Sequence, residues 1–331
     1  MPATAQKTVD VELGQRVVAV PEGGLFDRYR MQTDLDEVSQ DPRVQSVDFF
    51  RRLRKTRVES PIGPTHTPNF YYAMSSARLT MLAPTSAIRK RIPAELEPLE
   101  VLPGLGIASV MFFRYDVCDI DFYTEAAVGV AVRPARHGGP GVLGLTTALV
   151  DDHLHSYVLS LPVNTDIAQV RGHDGYGFPK WVTDLDVDID ASRTTARIAN
   201  ADGGVDVAFT ARTPRQKASS TGTNVSSLTS YTLLDGVWQS TLNQTNVLAT
   251  GSSSLPRGVD LTLGDGRMSD DLRSLKPIRT IRFDVTTKAQ AALHMPVPVS
   301  VPALRQNEGC TRRKRGLPRH RQTLRRQSRP S

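Results

Sequence analysis

The chain has 331 residues, of which 39% are hydrophobic and 23% charged, values ordinary for a soluble globular protein with a real core. The formal net charge of +7 is localised: residues 304–331 hold ten of the 41 basic and one of the 34 acidic residues, leaving 31 bases against 33 acids elsewhere. Nucleic-acid binding by the folded body is thereby disfavoured.

The first 60 residues read as an extension carrying one amphipathic helix. Asp41 suits its N-cap and Pro42 its first turn. Val44, Val47, Phe50 and Leu53 recur at helical spacing, and Arg51, Arg52, Arg54 and Lys55 crowd the last turn, where cations favour the dipole. Such a basic amphipathic helix can lie on a membrane surface; the expected role is to dock its apolar stripe on the core or on another subunit. Residues 61–298 form the main domain. Short β-rich runs fall at 77–82, 107–115, 126–132, 153–161, 182–189, 194–198, 205–211, 230–234, 259–263 and 278–285, punctuated by Gly, Pro, Asn and Asp. Helical patterns are few, near 86–92, 166–171, 269–275 and 286–293. The βαβ alternation of a doubly wound sheet is absent. The expected fold is therefore α+β, a β-rich antiparallel sheet or barrel with a few short flanking helices. Residues 217–227, rich in Ser and Thr, read as a loop, and 299–331 as a basic tail too polar to order itself.

No membrane partner is expected. No run of about 18 apolar residues offers a spanning helix, and the opening residues lack the apolar core of a signal peptide. Cys118 and Cys310 lie far apart, which suits a reducing, cytoplasmic setting.

Few constellations offer chemistry. Gly138-Gly139-Pro140-Gly141 lacks the Lys-Ser/Thr and helix of a phosphate loop and reads as a hairpin turn. His153 and His155 share a strand face but have no third metal ligand nearby. Asp184, Asp186, Asp188 and Asp190 alternate with apolar residues, as on a half-buried strand. No Gly-x-Ser-x-Gly elbow exists. No metal site is expected from these residues. Lys180 remains: it follows Pro179 and is flanked by Phe178 and Trp181, where apolar surface would disfavour an ammonium. At neutral pH an unperturbed lysine, with a pKa near about 10.4, is almost wholly charged and not nucleophilic.

The segment Gly172-His173-Asp174-x-x-Gly177-Phe178-Pro179-Lys180 resembles that of the acetoacetate decarboxylase-like family, in which Gly-Arg-Glu is followed by an aromatic residue, Pro and Lys. Phe122-Tyr123-Thr124-Glu125 resembles its Tyr-Thr-Glu, and residues 87–99 resemble its helix and the Pro-x-x-Leu turn beyond. The resemblance runs from about Thr67 to Pro296 and implies a lysine Schiff-base enzyme, a carbon-carbon lyase, needing no cofactor. It makes Lys180 the nucleophile and Glu125 its catalytic partner, with Arg78, Phe178, Trp181 and Tyr123 as substrate-binding residues. It implies a small carbonyl substrate and a homo-oligomer. Three positions depart from the family pattern. The second lysine, after the reactive one, is Trp181; a second glutamate falls on Val110; the arginine that grips the substrate carboxylate falls near Met74. The implied function is a decarboxylase-like lyase on a small keto acid or related carbonyl compound. Aldolase-dehydratase or cyclase chemistry on the same lysine, or non-catalytic binding of a small molecule, are the alternatives.

Overall fold

The computed structural model describes residues 7–134, 153–219 and 224–300. The glycine run at 138–141 and the tail beyond residue 300 lie outside them. The chain opens with an antiparallel hairpin, β1 (Thr8–Leu13) and β2 (Arg16–Pro21), then α1 (Leu25–Tyr29), α2 (Leu35–Val38) and α3 (Asp48–Arg51). A small pair, β3 (Thr56–Val58) and β4 (Thr65–Thr67), leads into β5 (Asn69–Pro84) and α4 (Thr85–Arg89). Short β6 (Leu96–Pro98) and β7 (Glu100–Leu102) precede β8 (Leu105–Cys118), β9 (Tyr123–Pro134) and β10 (His153–Val163). Next come α5 (Asp166–His173), β11 (Lys180–Val182), β12 (Leu185–Ile189), β13 (Arg193–Ala199), β14 (Val205–Arg212) and β15 (Lys217–Ala218). The chain continues through β16 (Val225–Leu234), β17 (Val237–Ser254), β18 (Val259–Leu263), α6 (Arg267–Ser274), β19 (Arg279–Leu293) and β20 (Val297–Pro298).

The long strands pair in the order β10-β16-β17-β19-β5-β8-β9, and β9 pairs back onto β10, closing a seven-strand barrel. All contacts in it are antiparallel except β10 with β16. This is the β-rich α+β fold expected from the sequence. Period-2 alternation sorts the barrel residues by face. Ala77, Leu79, Val110, Phe112, Ala126, Val128, Phe283 and Val285 point outward, into a core shared with the four-stranded sheet β12-β13-β14-β18. Phe112 stacks on Phe209 of that sheet at 4.9 Å, and α4 and α6 add Ile88, Met268 and Leu272. Truncating Phe112, which is fully buried, would cost about 3–5 kcal/mol. On β12, Leu185 and Val187 are buried while Asp186 and Asp188 are exposed, as the alternation predicted.

The opposite face of the strands points into the barrel. One end of it is floored by β1, β2, α1 and α5, whose Val11, Leu13, Val18, Val20, Phe26, Ile167 and Val170, with Met31 just after α1, pack with Tyr71, Met74, Tyr115 and Tyr123.

Four expectations need correction. Residues 217–227, read as a loop, include β15 and the first residues of β16. The long N-terminal helix is one short turn, α3. Asp41 accepts from the backbone N–H and guanidinium of Arg43 in a local turn instead of capping a helix. Its apolar residues still dock: Val44, Val47 and Phe50 bury against Phe70, Tyr72 and Val117 of the barrel. Residues 286–293, helical by propensity, are strand. Hydrogen-bonding partners on both sides, β17 and β5, override the local preference for helix. Residues 182–189 are two strands in two sheets, broken at Thr183 and Asp184.

Candidate active site

Lys180 occupies the seam of the barrel. The first residues of β10 pair with β16, but its last ones, Leu161 to Val163, pair with β11. The segment from Asp174 to Val182 thus fills the gap between β10 and β16. After α5 the chain turns back sharply: Gly177 N–H donates to His173 O and Phe178 N–H to Gly172 O, both at 2.9 Å. Gly177 takes φ +72, which a side chain would strain. It also lies against Thr232 of β16, whose hydroxyl donates to Tyr176 O at 2.8 Å. Leaving this turn, the Lys180 side chain passes over Gly172. A Cβ there would stand 2.3 Å from Lys180 Cδ and 2.4 Å from Cε.

At its end, Lys180 Nζ donates to Glu125 Oε2 at 2.6 Å, and both side chains are over 90% buried. Glu125 stands on β9 opposite Phe113 of β8, so Tyr123, Glu125 and Ala127 share the inner face with Tyr115, Phe113 and Met111. Tyr115 OH donates to Glu125 Oε1 at 3.2 Å. Tyr123 lays its ring 5.5 Å from Lys180 Nζ and donates its hydroxyl to Tyr71 OH at 3.2 Å. The rings of Tyr115 and Tyr123 are 4.4 Å apart, and those of Tyr71 and Tyr115 are 4.5 Å apart. Burial pushes all three phenols well above their ordinary range, helped by the negative charge of Glu125. They stay protonated at any physiological pH; Tyr115 and Tyr123 donate hydrogen bonds and Tyr71 accepts one.

Phe178 also points inward, among Ala127, Leu161, Tyr176, Phe113 and Leu293. Trp181 does not flank the amine. It follows Lys180 on a strand and so faces the other way, under Arg267 at 4.3 Å and against the outer core. Arg78 is on the inner face of β5, but its guanidinium is committed to Asp284 at 3.1 Å. Burial would raise the Asp284 carboxyl; hydrogen bonds from Ser252 and Arg282, with the charge of Arg78, outweigh it and hold the carboxyl below its ordinary range. Val110 lies in the outer core, while Met74 faces inward beside Tyr115. His155 hydrogen-bonds Tyr231 OH at 3.0 Å and stacks on its ring, and among the described residues no His, Cys, Asp and Glu cluster suits a metal ion. A cleft of about 560 Å³ lined by Ile189, Asp190, Gln216, Leu248, Thr287 and Lys288 shares no residue with the lysine cluster.

Sequence reasoning missed Tyr71, Tyr115 and the part played by Gly172. The inward alternation of Met111, Phe113 and Tyr115 against Tyr123 and Glu125 was the available signal, once β8 and β9 were paired.

A buried amine beside a carboxylate, ringed by phenol donors, can do nucleophilic chemistry on a carbonyl group. The carboxylate accepts the proton the amine must lose, and the phenols can hydrogen-bond a carbonyl oxygen.

Comparison with known proteins gives a consistent picture. The acetoacetate decarboxylase (ADC) family pattern matches residues 59–294. No curated protein matches in sequence. Among solved structures, acetoacetate decarboxylase from Legionella pneumophila superposes with a TM-score of 0.51 at 12% identity, over 70% of this chain and 87% of that one. The enduracididine biosynthesis enzyme MppR complexed with pyruvate gives 0.50 at 15% identity, over 71% and 91%. A second acetoacetate decarboxylase structure gives 0.50 at 14%, over 70% and 89%. At these identities the superpositions establish the fold.

Proposed function

The chain belongs to the acetoacetate decarboxylase family, and on that premise we propose that it is a Schiff-base-forming lyase acting on a small keto acid or related carbonyl compound. The observation that carries the reading is the 2.6 Å contact between Lys180 Nζ and Glu125 Oε2 inside the barrel.

Glu125 takes a proton from the amine, and the lone pair of Nζ attacks the substrate carbonyl carbon. A proton passes from the attacking nitrogen to the carbonyl oxygen, which becomes a hydroxyl; Glu125 returns its own proton to that hydroxyl, and water leaves as the iminium forms. The iminium then draws in the electron pair of a neighbouring bond. If that bond joins a carboxylate, carbon dioxide departs and an enamine remains. If it is a C–H bond, Glu125 takes the proton, and the enamine so formed can add to a second carbonyl or expel a β-hydroxyl. The enamine left by decarboxylation takes a proton at carbon, and water finally hydrolyses the resulting iminium and frees Lys180. Tyr115 steadies the Glu125 carboxylate throughout. Phe178, Phe113, Leu161 and Leu293 supply an apolar wall that excludes water.

Trp181 favours chemistry other than the decarboxylation of acetoacetate itself. Position 181 holds no second ammonium, and its side chain faces the outer core. Aldol, dehydration or cyclisation chemistry on the same lysine is the second reading.

Incubation with pyruvate or acetoacetate, then borohydride and mass spectrometry, tests the proposal. A reduced adduct on Lys180, absent from Lys180→Ala, is expected. Absence of an adduct with every small keto acid tried, from a protein that still binds one, would leave the non-catalytic reading in its place.

A further inference from the structure

Asn69 is 2% exposed, and both polar atoms of its carboxamide, Oδ1 and Nδ2, are buried without a hydrogen-bond partner among the described residues. The hydroxyl of Thr241, itself 1% exposed, is in the same condition, and so is the side-chain carbonyl of Asn243. Burying a polar group without a partner is costly, and native interiors hold few such groups. Four unpaired atoms on one patch point to a partner from outside the chain.

The strand register makes them one patch and sets it beside the amine. Asn69 of β5 stands opposite Leu293 of β19, and Leu293 stands opposite Asn243 of β17. Residues directly opposite share a face of the sheet, with Cβ atoms about 5 Å apart. Thr241 precedes Asn243 by two positions on β17 and so lies on that face as well. The face is the inner one. Leu293 packs against both apolar clusters around the lysine, that of Phe178 and Leu161 and that of Tyr71, Tyr115 and Tyr123. Thr241 stands opposite Ser230, two positions from Thr232, whose hydroxyl holds the turn that leads into Lys180. Leu293 is half-buried and has no polar atom, so a change of its rotamer exposes its neighbours without breaking a hydrogen bond.

We infer that Asn69, Thr241 and Asn243 form a specificity subsite for a neutral group of the substrate that both donates and accepts hydrogen bonds, a carboxamide or a hydroxyl. The inference rests on the Schiff-base reading and adds to it the character of the part of the substrate remote from the carbonyl. None of the three side chains carries charge. Asn69 offers a donor and an acceptor side by side, Asn243 an acceptor, and the Thr241 hydroxyl either. An alkyl group in the same place leaves all four atoms unpaired, and a site of that kind rejects the apolar analogue strongly.

The test uses two pairs of neutral ketones matched in shape, acetoacetamide with 4-methylpentan-2-one and 5-hydroxypentan-2-one with hexan-2-one. Each is trapped on the full chain with cyanoborohydride, and adducts on Lys180 are counted by mass. The ratio within a pair is referred to the ratio for a free alkylamine, which removes the intrinsic reactivity of the ketones. In at least one pair the wild-type protein should favour the polar member by about tenfold or more, the effect of a hydrogen bond made against one left unmet. The pair that shows it tells a carboxamide site from a hydroxyl site. Asn69→Leu, close to asparagine in shape, should return the ratio to that of the free amine. It also removes two unpaired polar atoms, so its melting temperature should rise. Thr241→Val should lower the ratio partially, and serves as the second variant if Asn69→Leu does not fold. A merely structural Asn69 would lower the melting temperature and slow both members of a pair alike, which would overturn the inference. A wild-type ratio equal to that of the free amine in both pairs would overturn it too, as would trapping of none of the four ketones by a protein that still traps pyruvate. Trapping of neither these ketones nor pyruvate would remove the Schiff-base reading and this inference with it.

Discussion

Lys180 and Gly172 form a contact that admits no side chain: a Cβ at 172 would lie 2.3 Å from Lys180 Cδ. Gly172 sits in α5, where alanine is otherwise favoured by about 1 kcal/mol. Gly172→Ala should therefore fold, but with the lysine displaced from Glu125. A misplacement of about 1 Å can cost about 100-fold in rate. We expect a loss of that order in adduct formation with near-native circular dichroism; native trapping rates in this variant would contradict the geometry.

Glu125→Gln keeps the shape of the side chain and removes its capacity to accept the Lys180 proton. General acid-base catalysis by a positioned group contributes about 10²- to 10⁴-fold. The rate of iminium formation should fall within that range, whereas Tyr115→Phe, which removes one hydrogen bond from Glu125, should cost about tenfold or less. Rapid-mixing trapping experiments would separate the two.

Asp119 clamps the N-terminal segment to the barrel, joining Lys55 and Thr33 to Phe70 and Tyr72. Breaking a buried pair of this kind costs about 3–5 kcal/mol, so Asp119→Asn should lower the midpoint of urea unfolding markedly. Burial lowers the pKa of Lys55 and Asp119 opposes the shift. Between the folded value and the ordinary one near about 10.4, the unfolded chain binds the extra proton, so stability rises with pH across that window. Removing Asp119 lowers the folded value further, and the rise should begin at lower pH. Urea titrations at a series of pH values would show it.

Asp284 gives the opposite sign. Its carboxyl is held below the ordinary value near about 3.9, so its contribution is complete above that pH and is lost as pH falls through the folded value. Arg282→Gln should move the folded value up and shift acid unfolding to higher pH. The side chain is partly screened by solvent, so the change at neutral pH should be about 1 kcal/mol or less.

Much of this was legible in the sequence because alternation and motif spacing are local properties. The runs at 107–115 and 126–132 fell inside β8 and β9, and Lys180 and Glu125, 55 positions apart, were named together and meet inside the barrel. What escaped depends on partners distant in sequence. Residues 286–293 have helical propensity and become strand because β17 and β5 bracket them. Adjacency in sequence puts Trp181 beside the amine, whereas adjacency on a strand separates side chains. The hairpin of β1 and β2 carried an alternation that the polar start of the chain obscured.

The floor of the barrel comes largely from residues before 59, where the family pattern begins: Val11, Leu13, Val18, Val20, Phe26 and Met31 close the end nearest the three tyrosines. The lysine–glutamate pair and much of its enclosure thus lie on separate stretches of chain. Substitutions in the hairpin can reshape the chamber without touching Lys180 or Glu125, and a fragment trimmed to the family boundary would keep Lys180 in an open-ended tube flooded by solvent.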